Sequence, residues 1–332
     1  GAKGDGVTDD TAAVVEAMSK GGTVMLTAGK TYLVTAPLKV PSDIILKSPD
    51  GEAAATIKVG PASAGTTGVL IARASGVTFK NVNFESVKGD FNSLIGITDG
   101  DHITITGCKF SKNPKKSSVL LRIKDSKFMD VNHSEFTAGY VAIHSLGNSS
   151  DIKIAENKVH DIDQYGIWVQ GSVNTFSERV QVLKNDVFNV HRGEGQTAGH
   201  MIYVQIGEGI STKRHKNVDV IGNKLIGLDK AFTVGGNGDL IEYCDVDGGS
   251  VSENIADKGG DVGIAVIRSS GILLEKNKAG YNNTNGIARW EASNCKVLNN
   301  QAYNNNQDMA RQWGTKAFKG RHSNHGPNGN LR

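Results

Sequence analysis

The feature that most constrains the fold is a short pattern that returns nine times along the chain. It reads apolar-x-apolar-x-x-Asn-x-apolar, from "VTFKNVNF" at Val77 to "CKVLNNQA" at Cys295, at spacings of 23 to 38 residues. Alternating apolar residues predict a β-strand, and a recurring Asn predicts a sharp turn. The sixth positions of the nine copies are Val82, Cys108, Ser134, Asn157, Asn185, Asn223, Asn254, Asn277 and Asn300.

Strands that repeat at this period without intervening helices are typical of a parallel β-solenoid. The predicted fold class is all-β, a single-stranded right-handed parallel β-helix of about nine to eleven coils with a short N-terminal capping helix. A β-sandwich would need hairpin turns between most strands and would not keep Asn in phase. We expect one domain over 1–332, with a cap and first strands in 1–35, regular coils in 75–305 and a C-terminal arm in 306–332.

The opening segment "GAKGDGVTDDTAAVVEAMSKGGTVMLTAGKTYLV" resembles the start of pectate-lyase-like β-helix proteins. That superfamily includes polysaccharide lyases, alginate epimerase modules, polygalacturonases and phage tailspikes. The resemblance implies a carbohydrate-active or carbohydrate-binding β-helix, although neither the "GHG" motif of polygalacturonases nor the "DPHE" motif of the epimerases is present. Thr8, Asp9 and Asp10 are predicted to be the N-cap and first-turn residues of a helix that covers the first coil.

Composition narrows the range of partners. The 332 residues carry a net charge of +3, without a basic run interleaved with aromatic residues, so no nucleic-acid partner is expected. No run of 18 apolar residues occurs, and no membrane span is expected. The expected partner is an anionic polysaccharide, and the chain is expected to be a monomer. Because it starts at Gly1 without a signal segment, we interpret it as a mature secreted protein whose signal peptide has been removed.

A second short strand recurs in each coil and suggests where a site lies. The eight copies are "LIGIT", "LLRIK", "VAIHS", "GIWVQ", "MIYVQ", "AFTVG" from Ala231, "GIAVI" and "GIARW". If the apolar residues point inward, the residues between them point to solvent and form a strip along the coils. His144, Gln170 and Tyr203 are then expected on three successive coils. The strip is also expected to contain no carboxylate.

Side chains of these types suit β-elimination on a uronic-acid polymer. The reaction needs a group that neutralises the C6 carboxylate, a base for the C5 proton and an acid for the leaving oxygen. Tyr203 is predicted to be base or acid, with its pKa lowered by nearby cations. A histidine would assist, and Gln170 with Arg122 or Lys124 would bind the carboxylate. The candidate catalytic residues are Tyr203, His144, His200, Gln170, Arg122 and Lys124.

Further substrate contacts are expected around the "MIYVQ" strand. It is flanked by "NVHRGEGQTAGH" and "GEGISTKRHKN", and long loops on a rigid scaffold tend to carry binding residues. The second loop brings a cluster of cations that would suit a polyanion. The candidate binding residues are Trp168, Gln205, Lys213, Arg214, His215, Lys216, Lys230 and Arg268.

The sequence thus predicts a lyase for alginate first and pectate second, with three alternatives left open. Asp161 and Asp163 are the carboxylates on which a glycoside hydrolase would depend. They are also the candidate ligands for Ca²⁺, the only cofactor considered. A tailspike-type depolymerase of capsular polysaccharide and a non-catalytic glycan-binding β-helix are the remaining alternatives.

Overall fold

The computed structural model describes residues 1–60, 67–87, 91–113, 118–191, 199–207, 213–227 and 238–305, together with the backbone of 307–309. Over these residues the chain is a parallel β-solenoid with a single short helix, which confirms the predicted fold class. It divides into two compact units, Gly1–Lys158 and Val159–Arg332. Among the described residues, no helix has the length and hydropathy that a membrane span requires.

The first unit contains the helix and sixteen of the described strands. In chain order they are β1 (Asp5–Asp9), α1 (Thr11–Ser19), β2 (Gly22–Met25), β3 (Thr31–Val34), β4 (Leu38–Lys39), β5 (Ile44–Lys47), β6 (Ala55–Val59), β7 (Thr67–Ala72), β8 (Thr78–Lys80), β9 (Val82–Ser86), β10 (Ser93–Thr98), β11 (Asp101–Thr106), β12 (Lys109–Asn113), β13 (Val119–Lys124), β14 (Lys127–Asn132), β15 (Glu135–Leu146) and β16 (Ser150–Ala155).

The second unit contains the remaining described strands, the first of which begins at the boundary residue. They are β17 (Lys158–Gly171), β18 (Glu178–Leu183), β19 (Asp186–Val190), β20 (His200–Ile206), β21 (His215–Ile221), β22 (Lys224–Ile226), β23 (Ile241–Cys244), β24 (Val246–Ser252), β25 (Ile255–Asp257), β26 (Ile264–Ile267), β27 (Ser270–Glu275), β28 (Lys278–Gly280), β29 (Asn285–Trp290), β30 (Lys296–Leu298), β31 (Gln301–Tyr303) and β32 (Gln307–Met309).

Each regular coil contributes one strand to each of three parallel sheets, which we number in chain order. In the first unit the first sheet contains β7, β10, β13 and the end of β15. The second contains β8, β11, β14 and β16, and the third contains β9, β12 and the start of β15. In the second unit β17, β20, β23, β26 and β29 pair in the first sheet, β18, β21, β24, β27 and β30 in the second, and β19, β22, β25, β28 and β31 in the third.

The recurring Asn lies at the turn between the second and third sheets. In the second unit, Asn254 Oδ1 accepts hydrogen bonds from the backbone N and the side-chain Nδ2 of Asn223, at 2.9 and 3.0 Å. Asn254 Nδ2 donates to the carbonyl of Val220 and to Asn277 Oδ1. The same bonds join Asn185 to Asn223 and Asn277 to Asn300. The side-chain amides thus satisfy turn backbone that would otherwise be buried without partners.

The N-terminal segment differs in detail from the prediction. Thr8 lies in β1, and α1 begins only at Thr11. Asp10 is the N-cap, but its buried carboxylate accepts hydrogen bonds from the backbone N of Lys3 and Gly4, at 2.7 and 2.9 Å, instead of capping the helix. Asp9 Oδ1 accepts from the backbone N of Thr11 at 3.0 Å. Asp9 and Asp10 therefore both accept hydrogen bonds from backbone at the entry to the solenoid.

Candidate functional site

In the first unit the strip contains a guanidinium beside a histidine. Arg122 is paired in register with Gly96 on one neighbouring strand and with His144 on the other. The Nε of Arg122 is buried without a hydrogen-bond partner, and no carboxylate among the described residues pairs with its guanidinium. Burial lowers the pKa of Arg122, because the charged form loses hydration. Lys124 is exposed, with its Nζ 3.9 Å from Asp125 Oδ2. This part of the strip therefore favours an anionic ligand at Arg122.

In the second unit the strip is aromatic and amide-rich. The register pairs Trp168 with Tyr203 and Gln170 with Gln205. The rings of Tyr203 and His200 are stacked at a centroid distance of 4.4 Å, and Tyr165 lies 5.4 Å from Tyr203. The Trp168 ring lies 6.1 Å from Tyr203 and nearly parallel to it. Stacking of this kind fixes the position of the phenol.

The strip of the second unit also contains a carboxylate, so the prediction that it has none was wrong. Glu242, on β23, is paired in register with Tyr203. The sequence predicts "AFTVG" as the next strand of the strip, but its residues 231–235 lie outside the described residues. The coil length was a sequence signal that could have located Glu242 on the strip. Glu242, Ala265 and Ala288 are neighbours in register at intervals of 23 residues, which is also the spacing of the last Asn copies.

Glu242, His200 and Asp239 form a buried polar cluster next to Tyr203. His200 Nε2 lies 3.4 Å from Glu242 Oε2, and His200 Nδ1 lies 3.2 Å from the carbonyl oxygen of Asp239. A carbonyl oxygen can only accept, so Nδ1 carries a hydrogen. Close approach of Nε2 to a carboxyl oxygen is favourable only if one of them is protonated. At this distance the two groups are close polar neighbours, and Glu242 Oε2 is buried without a hydrogen-bond partner among the described residues. The other carboxyl oxygen of Glu242 accepts from Cys244 Sγ at 3.3 Å.

Burial shifts the proton affinity of this cluster strongly. It raises the pKa of Glu242 to about 8, against the opposing effects of the Cys244 hydrogen bond and the Arg268 charge. It also raises the pKa of Asp239, with further upward contributions from Asp261 and Glu242. Both carboxyl groups therefore favour the protonated form near neutral pH.

The expected lowering of the Tyr203 pKa was wrong. Burial raises it well above the ordinary value, and the negative charge of Glu242 adds to the effect. The strip is also less open than expected, because Tyr203 is only 5% exposed, and His144, His200 and Ala265 are buried too. In the second unit the rings of Trp168, Tyr165 and His200 cover Tyr203. The phenol is therefore protonated except at high pH.

The predicted cationic cluster is largely engaged within the protein. His215 is fully buried, which overturns its predicted contact with substrate: its Nδ1 accepts from the backbone N of Ser177 and its Nε2 donates to the carbonyl of Gln205, both at 2.9 Å. Burial accordingly lowers the pKa of His215.

The other predicted cations lie in three different settings. Lys213 and Lys216 lie over the ring of Phe176, and Lys216 Nζ is 3.4 Å from Glu178 Oε1. Arg214 contacts Asp247 and the carbonyl of Arg268. Arg268 makes two hydrogen bonds to Asp245, at 2.8 and 2.6 Å. Lys230 lies outside the described residues.

The predicted hydrolase and Ca²⁺ residues are close in sequence but differ in environment. Asp161 accepts hydrogen bonds from Asn189 at 3.1 Å and approaches His160 Nδ1 at 2.6 Å, and His160 lowers its pKa. Burial raises the pKa of Asp163. Within the described ranges, no three His, Cys, Asp or Glu side chains are grouped as metal ligands. Ca²⁺ binding stays a prediction.

Comparison with known families agrees with the coil geometry. The sequence profile described as "Right handed beta helix region" matches residues 62–227, which is half of the chain. The chain belongs to this family of right-handed β-helices, as the repeat pattern and the opening segment indicated. No curated protein sequence matches the chain.

Solved structures that are similar to this chain have different functions. The A-module of mannuronan C-5 epimerase AlgE4 from Azotobacter vinelandii is 15% identical, with 96% of this chain and 97% of that chain covered and a TM-score of 0.59. The surface adhesin PfbA of Streptococcus pneumoniae is 16% identical, with 93% and 90% covered and a TM-score of 0.57. An exopolygalacturonase from Thermotoga maritima is 14% identical, with 92% and 90% covered and a TM-score of 0.56. At these identities the likeness concerns the fold alone.

Proposed function

We propose that this β-helix protein is a secreted polysaccharide lyase that cleaves a uronic-acid polymer by β-elimination, with alginate as the first substrate to test and pectate as the second. The observation that carries the proposal is the cluster of Tyr203, His200 and Glu242. The carboxyl groups of Glu242 and of the neighbouring Asp239 favour the protonated form, whereas glycoside hydrolysis needs one ionised carboxylate as base or nucleophile. Proton transfer without an ionised carboxylate is compatible with β-elimination.

Tyr203 can serve both proton steps of that reaction. Its phenolate removes the proton at C5, the C5 electron pair forms the C4–C5 double bond, and the C4–O bond breaks. The phenol then returns the proton to the leaving oxygen, so that Tyr203 ends as it began. His200, stacked on the Tyr203 ring, is a positioning residue, because both of its nitrogens already have neighbours within the protein. Burial, and to a lesser extent the charge of Glu242, raises the pKa of Tyr203, so the phenolate fraction and with it turnover should increase with pH.

Two features support an anionic substrate. Next to Tyr203, the half-buried Gln170 and Gln205 place amide groups side by side, and amides can donate hydrogen bonds to a C6 carboxylate. In the first unit, Arg122 supports the same class of ligand independently, since its enclosed Nε lacks a partner. An anion would satisfy that buried donor.

The deciding experiment is incubation of the full chain with alginate, pectate, hyaluronan and a neutral glucan. Ultraviolet absorbance follows the unsaturated product of elimination, and a reducing-sugar assay follows cleavage of any kind. We expect both signals to rise together on at least one uronate and neither on the neutral glucan. Reducing ends without ultraviolet absorbance would establish hydrolysis, and binding without either signal would establish a non-catalytic glycan-binding protein.

Tyr203→Phe tests the assigned residue. Removing the hydroxyl should lower kcat by at least about a hundredfold, the scale of a lost acid-base group, and leave the ring stack intact. Tyr281→Phe is the matched control, because Tyr281 is an exposed tyrosine of the same unit and should retain full turnover. Full activity in Tyr203→Phe would remove Tyr203 from the mechanism.

A glycoside hydrolase is the second candidate, and Glu242 is the observation that favours it. A carboxyl group whose pKa is raised to about 8 is protonated at neutral pH, as a general acid must be. Under this alternative Glu242→Gln abolishes cleavage. Under β-elimination the same variant stays active, and its pH-rate profile moves to lower pH because Tyr203 loses a negative neighbour.

A further inference from the structure

The second sheet of the first unit exposes a pair of stacked aromatic rings. His102 and Phe128 lie on adjacent strands, between the register pairs Asp101 with Lys127 and Ile103 with Met129. Their ring centroids are 4.6 Å apart and the rings are inclined by 28°. Phe128 is nevertheless 46% exposed. Since His102 covers one face of the Phe128 ring, much of that exposure belongs to the other face and the rim.

The backbone at these two positions makes an aromatic residue unfavourable. His102 has φ +54° and Phe128 has φ +53°, in the left-handed region that disfavours bulky side chains. Other coils adopt positive φ at the same register position with residues that are small, polar or charged. These residues are Asp43, Gly76, Asp151, Arg179, Asn217, Gly248, Gly271 and Asn294. Neither backbone conformation nor burial therefore explains a phenylalanine at position 128.

Polar groups surround the two rings. Asp101 Oδ1 lies 2.6 Å from His102 Nδ1, and Asp101 Oδ2 lies 3.5 Å from Lys127 Nζ. Lys127 Nζ is 5.9 Å from the centre of the Phe128 ring. A flat apolar face bordered by a carboxylate and an ammonium group suits a ligand with one apolar face and hydroxyl groups around its edge. A sugar ring has this chemistry, whereas a purely apolar protein surface would bury the Asp101–Lys127 pair without offering it any hydrogen bond.

We propose that His102 and Phe128 form a stacking site for a sugar ring of a polysaccharide, on the second sheet of the first unit. Phe128 provides the stacking face, and Asp101 and Lys127 provide hydrogen bonds to ring hydroxyls. The site binds glycan and carries out no chemistry. It does not depend on the proposed lyase activity, because its residues belong to the second sheet and the strip residues belong to the first.

Affinity electrophoresis of the full chain in gels that contain alginate, pectate or a neutral glucan tests the site. The key variant is Phe128→Asn, since Asn already occupies this conformation at Asn217 and Asn294. It should bind roughly three- to tenfold more weakly, the contribution of one aromatic stacking contact. Its melting temperature should stay the same or rise, because Asn relieves the backbone strain. Phe128→Tyr should retain binding. Ile45→Asn is the matched control, because Ile45 is an exposed apolar residue on β5.

Two readouts separate this proposal from the others. Binding is measured with unaltered protein and with Tyr203→Phe, so that cleavage of the gel polymer does not obscure the result. Equal affinity of Phe128→Asn and the unaltered protein would overturn the site even if the lyase assay succeeds. A change in mass on size-exclusion chromatography without a change in glycan affinity would assign the rings to self-association instead. Absence of retardation on every polymer would also overturn the proposal.

Discussion

The two units fill the interior of the solenoid differently at the same structural position. In the first unit the inward position of the third sheet is held by Phe84, Phe110 and Phe136, whose centroids are 5.5 and 4.5 Å apart. In the second unit the register at the corresponding position runs through Val187, Leu225, Ala256 and Ala279. These side chains are smaller than phenylalanine. In the same unit Tyr243 is fully buried on the first sheet, and its hydroxyl donates a hydrogen bond to the carbonyl of Val218 at 2.7 Å.

The turn between the second and third sheets is also less polar in the first unit than in the second. In the first unit it contains Val82, Cys108 and Ser134 before the first ladder Asn appears at Asn157. In the second unit every regular copy is Asn, and each Asn is hydrogen-bonded to the next. At these positions the first unit is therefore packed by apolar stacking, and the second is joined by buried hydrogen bonds between Asn side chains of neighbouring coils, which we call polar rungs. The buried cluster of Glu242 and His200 lies in the second unit, whose interior already depends on satisfied polar groups.

Phe110→Ala should have the largest effect on stability. Phe110 is buried between Phe84 and Phe136, and its removal leaves a cavity that costs about 3–5 kcal/mol. In a solenoid each coil contacts only its neighbours, so the loss should be local. Amide hydrogen exchange should accelerate in the strands around Phe110. Val87→Ala, at an exposed apolar position, is the control, and equal protection in both variants would contradict the role of the stack.

Asn254→Ala should have the next largest effect, this time in the second unit. It removes the acceptor for the backbone N and Nδ2 of Asn223 and the donor to Val220, so buried groups lose their partners. The expected cost is about 2–3 kcal/mol. Urea unfolding followed by hydrogen exchange in β21, β24 and β27 measures it. Asn174→Ala is the control, because Asn174 is exposed and outside the ladder. A cost no larger than that of the control would show that the ladder contributes no stability.

The sequence predicted the fold well because the solenoid repeats a local rule. A strand, a turn residue and another strand recur, and stacking converts that recurrence into parallel sheets. The Phe stack could have been read from the same pattern, since Phe84, Phe110 and Phe136 are two residues beyond Val82, Cys108 and Ser134. The helix start was missed because Thr8, Asp9 and Asp10 are all good caps, and only the fold decides which backbone groups need an acceptor.

The site was predicted less well because it depends on burial and on non-local register. The pairing of Tyr203 with Glu242 spans 39 positions, and "AFTVG" within that interval has the same strand pattern and competes for the position of the next strand. The pKa of Tyr203 was predicted with the wrong sign, since the sequence shows nearby cations but not that they are engaged elsewhere. His215 was misassigned for a related reason: a histidine in a charged loop looks exposed, and only the fold buries it against Ser177 and Gln205.

Glu242→Gln should change the pH dependence of the second unit. The folded-state pKa of Glu242, about 8, lies above the ordinary value of 4.5, so the folded protein holds this proton more tightly than the unfolded chain. Its contribution to stability is complete at low pH and is lost as pH rises towards about 8. Between about pH 6.5, where a free histidine titrates, and pH 8, stability should fall by on the order of 1–2 kcal/mol. In Glu242→Gln this slope should become shallower, and what remains belongs to Asp239, whose pKa is also raised by burial. Glu253→Gln, at an exposed position, should retain the full slope, and a slope unchanged in Glu242→Gln would assign the titration to another group.

Lys109→Ala should have the smallest effect on stability. It tests whether a polar contact between neighbouring coils stabilises the solenoid only when it is buried. Lys109 Nζ lies 3.1 Å from Glu135 Oε1 across adjacent strands of the third sheet, and both side chains are partly exposed. An ion pair in this setting is screened by water and loses side-chain entropy, so its removal should cost less than about 1 kcal/mol. The measurement is the urea midpoint at low and high salt, where the unaltered protein and the variant should converge at high salt. A loss as large as that of Asn254→Ala would mean that rungs stabilise the solenoid by tying neighbouring coils together. A small loss would indicate that the hydrogen bonds between coils of the second unit stabilise it because they are buried. Only enclosed amides must find their partners within the protein.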